Sequence, residues 1–188
     1  MGRITWLGDG CDTGAYILWL DARSDLAVAF GRFQGGRPVS VPAGAYAYVG
    51  SAMGGGATSL TGRLLRHATR TAGKPPHAIR DELPGQFRVA GMGDRPIHPP
   101  TAKRLRWHID YLLDESAIEI AYVTIVRSAE RHESALARWL ASLPGALPLR
   151  SGLGASDAPG ETHLFRMGSR DDMTTARENP LSTAITFD

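Results

Sequence analysis

The chain has 188 residues, of which 43% are hydrophobic, and its formal net charge at pH 7 is +2. A chain of this length can form one domain with a substantial core, whereas two domains would both have to be minimal. A charge this small points by itself neither to nucleic acid nor to a membrane surface. No run of about 18 apolar residues occurs, so we expect no membrane-spanning helix and no membrane partner.

Cys11 is the only cysteine of the chain. An intrachain disulfide is therefore impossible, and a zinc site built from several thiolates is excluded as well. The first ten residues lack the apolar run of a signal peptide. These features together predict a cytoplasmic protein.

Apolar runs separated by turn residues predict the first strands. Residues 14–20 are apolar and aromatic, residues 26–33 form a second apolar run, and residues 45–50 form a third. A cluster of glycine and proline separates the second run from the third. We therefore predict an antiparallel meander that begins after an N-terminal extension of residues 1–12.

A helical period follows over residues 60–74. At 3.6 residues per turn, leucines and alanines fall on one side of this helix and basic residues on the other. The basic side comprises Arg63, Arg66, His67, Arg70 and Lys74. Ten basic residues stand against four acidic ones between positions 60 and 110, so this third of the chain is locally cationic. Such a face either binds nucleic acid or is simply solvated.

The rest of the chain is predicted to complete an α+β fold, a small and mostly antiparallel sheet flanked by helices. Residues 75–105 are rich in proline, glycine and charge, which predicts a surface insertion with one short strand at 86–90. The later predicted elements are a helix within 102–113, a strand at 117–126, a helix from a Ser128 cap to 142, a strand at 163–167 and a loosely held tail at 168–188. We expect residues 13–167 to form a single domain.

Glu133 stands out because helical spacing places its carboxylate on the apolar face of the helix that ends near 142. Burying an unpaired charge costs several kcal/mol, so either a divalent cation or an ion pair with an arginine has to compensate it. Carboxylate oxygen suits Mg²⁺ or Mn²⁺. Glu133 is therefore our candidate metal ligand.

Arg63 and the strand tyrosines are candidates for phosphate chemistry. An arginine can grip a phosphate through two hydrogen bonds, although Arg63 could equally be a surface residue. Tyr16, Tyr46 and Tyr48 lie on predicted strands and by default fill the core. Lowering a tyrosine pKa from about 10 to near 7 requires roughly 4 kcal/mol. A tyrosine therefore acts as a base only where neighbouring charges stabilise its phenolate. Alternatively, it orients a water molecule by hydrogen bonding, which needs no change in its pKa.

His67 and His108 are candidates of a weaker kind. Either imidazole could bind a metal or carry a proton, but a lone histidine is more often a hydrogen-bonded structural residue. Their spacing alone does not decide between these alternatives.

Two tripeptides lie on the first and third predicted strands, Gly14-Ala15-Tyr16 and Tyr48-Val49-Gly50. Further motifs follow in order: residues 46–52 (YAYVGSA), 63–67 (RLLRH), 107–113 (WHIDYLL), Glu133 and residues 152–165. The tripeptides resemble the paired motifs of the GIY-YIG nuclease superfamily. With the further motifs, the chain more closely resembles the branch known as domain of unknown function 123.

The resemblance implies a phosphodiester hydrolase that uses one divalent ion, Mg²⁺ or Mn²⁺. Arg63 matches the arginine that clamps the phosphate, and Glu133 is similar in placement to the glutamate that holds the metal. Tyr16 and Tyr48 match the motif tyrosines, which position or deprotonate the attacking water. His67 completes our catalytic candidates, and the candidates for nucleic-acid contacts are Arg66, Arg70, Lys74 and His108.

We therefore expect a nuclease that acts on DNA or RNA, with DNA preferred and with a role in DNA repair. Because the branch occurs alone or attached to a base-excision glycosylase, the resemblance also implies a base-excision repair partner. The oligomeric state stays open. Two other classes of function remain: a nucleic-acid-binding module without cleavage, and a partner-docking domain that uses the insertion as its contact surface.

Overall fold

A computed structural model describes residues 2–8, 10–92, 99–154 and 161–178 of the chain. Within these residues the fold is mixed α+β. The strands are β1 (Ile4–Leu7), β2 (Gly14–Ala22), β3 (Leu26–Val28), β4 (Val39–Val41), β5 (Gly44–Ala52), β6 (Ile118–Arg127), β7 (Leu147–Pro148) and β8 (Leu164–Arg166). The helices are α1 (Leu60–Ala68), α2 (Leu83–Val89), α3 (His108–Leu113), α4 (Glu133–Ser142) and α5 (Arg170–Glu178).

Six of the described strands form one mainly antiparallel sheet, in the order β1-β6-β2-β5-β8-β7. The predicted α+β class is confirmed, as are strands at 14–20, 45–50, 117–126 and 163–167. The predicted meander is wrong in one respect. The apolar run after β2 forms β3, which pairs only with β4 in a separate two-stranded sheet, so that β2 and β5 become direct neighbours. Strand β1, within the predicted N-terminal extension, pairs in parallel with β6.

The sheet has helices on both faces because its central strand is apolar on both sides. Along β2, alternate side chains such as Tyr16 and Leu18 pack in one buried cluster, while Ile17 and Trp19 pack in another. The first cluster contains residues of α1, α2 and α3, and the second contains residues of α4 and α5. We call these the first and the second face of the sheet.

The segment predicted as a surface insertion contributes to the core, and that prediction is wrong. Its residues 83–89 form helix α2 instead of a strand, with Pro84 in the first turn. Leu83 and Phe87 lie one helical turn apart and are both buried, as is Ile79 in the short turn before the helix. The part of the segment at 93–98 lies outside the described residues.

Two helices are shorter than predicted. Helix α1 ends at Ala68, and its C-cap is Thr69, so Arg70 and Lys74 do not belong to it. Helix α4 begins at Glu133 and not after Ser128. The Ser128 hydroxyl instead accepts a hydrogen bond from the backbone N–H of Glu130, within the loop that leads to α4.

The predicted tail includes helix α5, which packs on the second face of the sheet through Met173 and Ala176. Residues 179–188 of that tail, and residues 155–160 of the last family motif, lie outside the described residues. None of the helices in the described part of the chain combines the length and the apolar character needed to span a bilayer.

Candidate active site

A polar pocket of about 260 Å³ opens at the end of the two interior strands where β2 begins and β5 ends. It brings Tyr16, Tyr48, Arg63 and Glu133 together, with His67 behind Tyr16. We refer to this pocket as the cleft. Its lining comprises Tyr16, Tyr48, Ser51, Met53, Gly54, Thr58, Arg63, Trp107, Arg131, Glu133 and Gly154.

The two tripeptide motifs meet because β2 and β5 are paired in antiparallel register. Tyr16 lies opposite Gly50, and Leu18 lies opposite Tyr48. A Cβ atom at Gly50 would come within 2.4 Å of the Tyr16 hydroxyl oxygen, a distance that no real Cβ contact tolerates. The glycine of the second motif therefore makes room for the phenol of the first.

Tyr16 is held by a buried hydrogen bond. Its hydroxyl lies 2.7 Å from Nε2 of His67, and both side chains are 1% exposed. Burial raises the pKa of Tyr16 well above its usual value and lowers the pKa of His67 well below its own. Both groups are therefore neutral. Nδ1 of His67 lies 3.8 Å from the carboxylate of Asp110, which favours the tautomer protonated on Nδ1, and in this tautomer the phenol donates to Nε2. Tyr16 in this state is an orienting group rather than a ready base.

Arg63 projects into the cleft from α1, and the ring of Trp107 supports it. The guanidinium carbon lies 4.0 Å from the centre of that ring, a cation–π distance. Its Nε is buried and has no hydrogen-bond partner among the described residues. A buried donor without a partner is costly. Because its side chain also lines the cleft, Arg63 is placed to receive an anion there.

Helix α1 is fixed at the mouth of the cleft by the loop before it. Ser59 caps the helix by accepting a hydrogen bond from the N–H of Gly62. A Cβ atom at Gly62 would lie 2.5 Å from the carbonyl oxygen of Gly56, so only glycine allows this close approach of helix and loop. The first turn of α1, which carries Arg63, therefore packs directly against the loop that contains Gly56.

Glu133 is the first residue of α4, and its side chain is 19% exposed. The Ser51 hydroxyl donates to Oε2, and Nδ1 of His163 lies 3.2 Å from Oε1. Burial raises the pKa of Glu133, but the contacts with His163 and Ser51 and the charge of Arg63 outweigh it, so the pKa lies below its usual value. Its direct partner is thus a histidine, and not the arginine that we considered from the sequence.

His163 connects Glu133 to a second carboxylate. Its Nε2 lies 2.9 Å from Oε2 of Glu161, and the Ser134 hydroxyl lies 2.9 Å from each oxygen of Glu161. Burial lowers the pKa of His163, but the two carboxylates raise it above its usual value. Sequence reasoning missed this chain of contacts because no periodicity relates the segment before β8 to α4.

The cleft offers one carboxylate to a metal ion. No group of three or more His, Cys, Asp or Glu side chains that could hold a metal occurs among the described residues. Mg²⁺ commonly keeps several water molecules and takes one or two carboxylates together with substrate phosphates. The ionised Glu133 and the hydroxyl of Ser51 fit a hydrated ion of this kind, and they do not fit an all-protein cage.

Two of the basic residues predicted to contact nucleic acid are committed to internal ion pairs. The guanidinium of Arg66 binds both oxygens of the buried Asp110 at 2.7 and 2.9 Å. The amine of Lys74, although 44% exposed, lies 2.6 Å from Asp114. These contacts leave both side chains less available to a phosphate than the sequence suggested.

Arg70 and His108 also have structural settings. The prediction that Arg70 shares an exposed helix face with Arg63 is wrong, because Arg70 lies beyond α1 and is 4% exposed. His108 opens α3, its Nδ1 accepts a hydrogen bond from the N–H of Gly154 at 3.4 Å, and burial lowers its pKa. Its ring packs edge-on against Phe33.

Ser51, Trp107 and Arg131 are among the residues of the cleft that were missed as site residues. Ser51 and Trp107 lie inside motifs that we used for the resemblance, so a signal was present without a role attached to it. Arg131 precedes α4 in a stretch of mixed charge and carried no pattern of its own.

The family model described as "Domain of unknown function DUF123" matches residues 15–185. The chain therefore belongs to this family, and the match encloses every residue that lines the cleft. No curated protein and no solved structure matches the chain.

Proposed function

We propose that this protein is a nuclease of the GIY-YIG type, which hydrolyses phosphodiester bonds with the help of a divalent metal ion. The observation that carries the proposal is the convergence of Tyr16, Tyr48, Arg63 and Glu133 on one polar cleft. These residues come from two strands and from helices on opposite faces of the sheet. Core packing alone does not require such a meeting of phenols, a guanidinium and a carboxylate.

The phosphate side of the reaction rests on Arg63. Its guanidinium lines the cleft and can bind a phosphate oxygen by a charge-assisted hydrogen bond. The same contact strengthens as negative charge grows on the phosphate oxygens in the transition state.

The water side of the reaction rests on the tyrosines. Because the Tyr16 hydroxyl donates a hydrogen bond to the Nδ1-protonated tautomer of His67, a lone pair of its oxygen is left to accept a hydrogen bond from a water molecule in the cleft. This arrangement orients the water without ionising the phenol. The high pKa of Tyr16 favours such a role over that of a resting base.

The metal side of the reaction rests on Glu133. Its lowered pKa keeps it ionised at neutral pH, as a ligand of Mg²⁺ or Mn²⁺ has to be. When bound, the ion would polarise the phosphate and stabilise the leaving oxygen. Ser51 and His163 hold the carboxylate in place.

A nuclease assay tests the proposal. The parent protein and the variants Arg63→Ala and Glu133→Gln are incubated with branched and single-stranded DNA and RNA, in Mg²⁺ or Mn²⁺. We expect metal-dependent cleavage by the parent, reduced by about 100-fold or more in each variant with the fold retained. Arg166→Ala, an exposed arginine at the opposite end of β5, is the matched control and should cleave normally. Absence of cleavage by the parent on every substrate would overturn the proposal.

A nucleic-acid-binding module of the same fold is the second candidate. The observation that favours it is that both oxygens of Glu133 already have protein partners, Ser51 and His163. This alternative expects salt-dependent binding by the parent and no strand cleavage in any metal. DNA over RNA and a base-excision repair context are part of both proposals, supported by the family resemblance. A cytoplasmic location is also part of both, supported by the presence of a single cysteine in the sequence.

A further inference from the structure

Two arginines without an assigned role stand at the rim of the cleft. Arg131 lines the cleft and is exposed. Arg106 is exposed as well, and its guanidinium carbon lies 5.3 Å from the ring centre of Trp107, which is part of the cleft wall. Within the described part of the chain, neither arginine has a carboxylate within 4.0 Å of its guanidinium nitrogens.

The two arginines reach the cleft from opposite faces of the sheet. Arg106 comes just before α3, which packs on the first face through Ile109 and Leu112. Arg131 comes just before α4, which packs on the second face through Leu136 and Leu140. The cleft lies at the strand ends, between the helices of the two faces. One exposed cation therefore comes from the helix-bearing segment of each face.

Arg106 is partly ordered before any ligand arrives. A guanidinium within about 6 Å of an aromatic centre gains a favourable cation–π interaction. The same Trp107 ring also supports Arg63 at 4.0 Å. Arg106 therefore loses less side-chain freedom on binding a phosphate than an unsupported arginine would.

The charge balance of the rim favours an anionic chain over a single anion. Among the described residues that line the cleft, Arg63 and Arg131 are cations and Glu133 is the one acid. Adding Arg106, which contacts Trp107 of the cleft wall, gives three guanidiniums in or beside the cleft, contributed by segments on both faces of the sheet. A lone phosphate could engage only those at the centre, whereas a polynucleotide carries a phosphate at every step.

We infer that the cleft receives an internal phosphodiester of a single-stranded nucleic acid, with Arg106 and Arg131 contacting phosphates on either side of it. The ligand class rests on the proposed function, but the inference concerns binding and does not require cleavage. A single strand is favoured because the phenol of Tyr16 is 1% exposed, and a flexible strand can enter a recess that a stiff duplex cannot follow.

The test measures binding by fluorescence anisotropy in EDTA, which prevents cleavage. The probe is a labelled single-stranded DNA, both linear and as a covalently closed circle of the same length, with a duplex for comparison. The full-length parent is compared with Arg106→Ala, Arg131→Ala, the double variant and the control Arg166→Ala. Each association constant is determined over a series of KCl concentrations.

Each phosphate contact with a single strand contributes about 0.7 to the slope of log K against log salt concentration, because it releases counterions. We therefore expect each single variant to reduce the magnitude of this slope by about 0.7, and the double variant to reduce it by about twice that. The closed circle should bind as well as the linear strand, because an internal site needs no end. The duplex should bind more weakly, and Arg166→Ala should match the parent.

The inference would be overturned by no binding of the parent, by unchanged salt slopes in both variants, or by an equal loss of salt slope in Arg166→Ala. Selective binding of the linear strand would also contradict it, because it indicates an end-binding surface. Selective binding of the duplex would contradict it as well, because it indicates a duplex-binding surface. The proposed function fails separately, through the absence of cleavage in Mg²⁺ and Mn²⁺. Far-ultraviolet circular dichroism of each variant checks that the fold is kept.

Discussion

Arg63 and Arg70 belong to one basic run in the sequence, but the structure uses them in opposite ways. Arg63 borders the cleft and has a buried Nε without a partner among the described residues. Arg70 is 4% exposed and donates to the carbonyl oxygens of Pro75, Leu113 and Ile118. A guanidinium whose nitrogens bind acceptors inside the fold serves stability, whereas one that lines an opening without such acceptors can serve a ligand.

Removing Arg70 is expected to have the largest effect. Arg70→Met would remove the donor of two buried hydrogen bonds, to the carbonyls of Leu113 and Ile118, and of the part-buried bond to Pro75. It would also remove the cation 3.6 Å from Glu119. We expect a loss of about 3–5 kcal/mol in the free energy of unfolding, the range for breaking a buried ion pair on one side. Urea denaturation measures it. A loss below that of Arg63→Ala would show that the contrast between the two arginines is drawn wrongly.

Removing Arg63 is expected to affect phosphate chemistry and hardly affect stability. Arg63→Ala gives up a cation–π contact worth about 1 kcal/mol or less at this partly exposed site. Cleavage should nevertheless fall about 100-fold, or about 2.7 kcal/mol in the activation barrier. Arg63→Lys should recover only part of the rate, because an ammonium cannot form the paired hydrogen bonds of a guanidinium. Full recovery with lysine would indicate that only charge matters.

The pH dependence of the free energy of unfolding tests separately whether the ion pairs around Arg70 serve stability. Burial raises the pKa of Glu119, but the contact with His77 3.6 Å away, the hydrogen bond from the backbone N–H of Ala78 and the charge of Arg70 hold this pKa below its usual value. A carboxyl with a depressed pKa in the folded state stabilises the fold above its unfolded pKa, and this contribution is lost as the pH falls through the folded pKa. Unfolding measured between about pH 5 and 3 should therefore depend less on pH in Glu119→Gln than in the parent. Equal pH dependence in the two proteins would show that ionised Glu119 does not contribute to the stability of the fold.

Lys74 should give the smallest effect. Its amine pairs with Asp114 at 2.6 Å, but the side chain is 44% exposed and therefore screened by solvent. We expect Lys74→Ala to cost about 0.2–1 kcal/mol of unfolding free energy, and less in high salt. Nucleic-acid binding should change little. A fall in binding as large as that of Arg131→Ala would return Lys74 to the set of ligand-contacting residues.

The elements that were predictable from the sequence are those whose own residues specify them. Residues 14–20 are apolar on both faces of a strand, and the structure buries them between two layers of helices. Helix α2 was equally readable, since Leu83 and Phe87 are spaced by one turn and Pro84 marks its start. The prediction failed there because the proline and glycine content of the segment outweighed this short pattern.

The end of α1 could not be read from local periodicity. The alternation of basic and apolar residues continues past Ala68, but the chain turns at Thr69, whose hydroxyl donates to the carbonyl of Leu65. Arg70 then points inward because its acceptors at Leu113 and Ile118 are supplied by α3 and β6. Distant partners of this kind leave no trace in a helical period.

By itself, the sequence determined which residue types could meet: strand tyrosines, a helical arginine and a carboxylate at the start of a later helix. Only the tertiary structure decided that they do meet, through the pairing of β2 with β5 and the approach of α1 and α4 from opposite faces. The physical reason is that hydrophobic periodicity is a local property, whereas strand order and the partners of a buried charge depend on residues far apart in the chain.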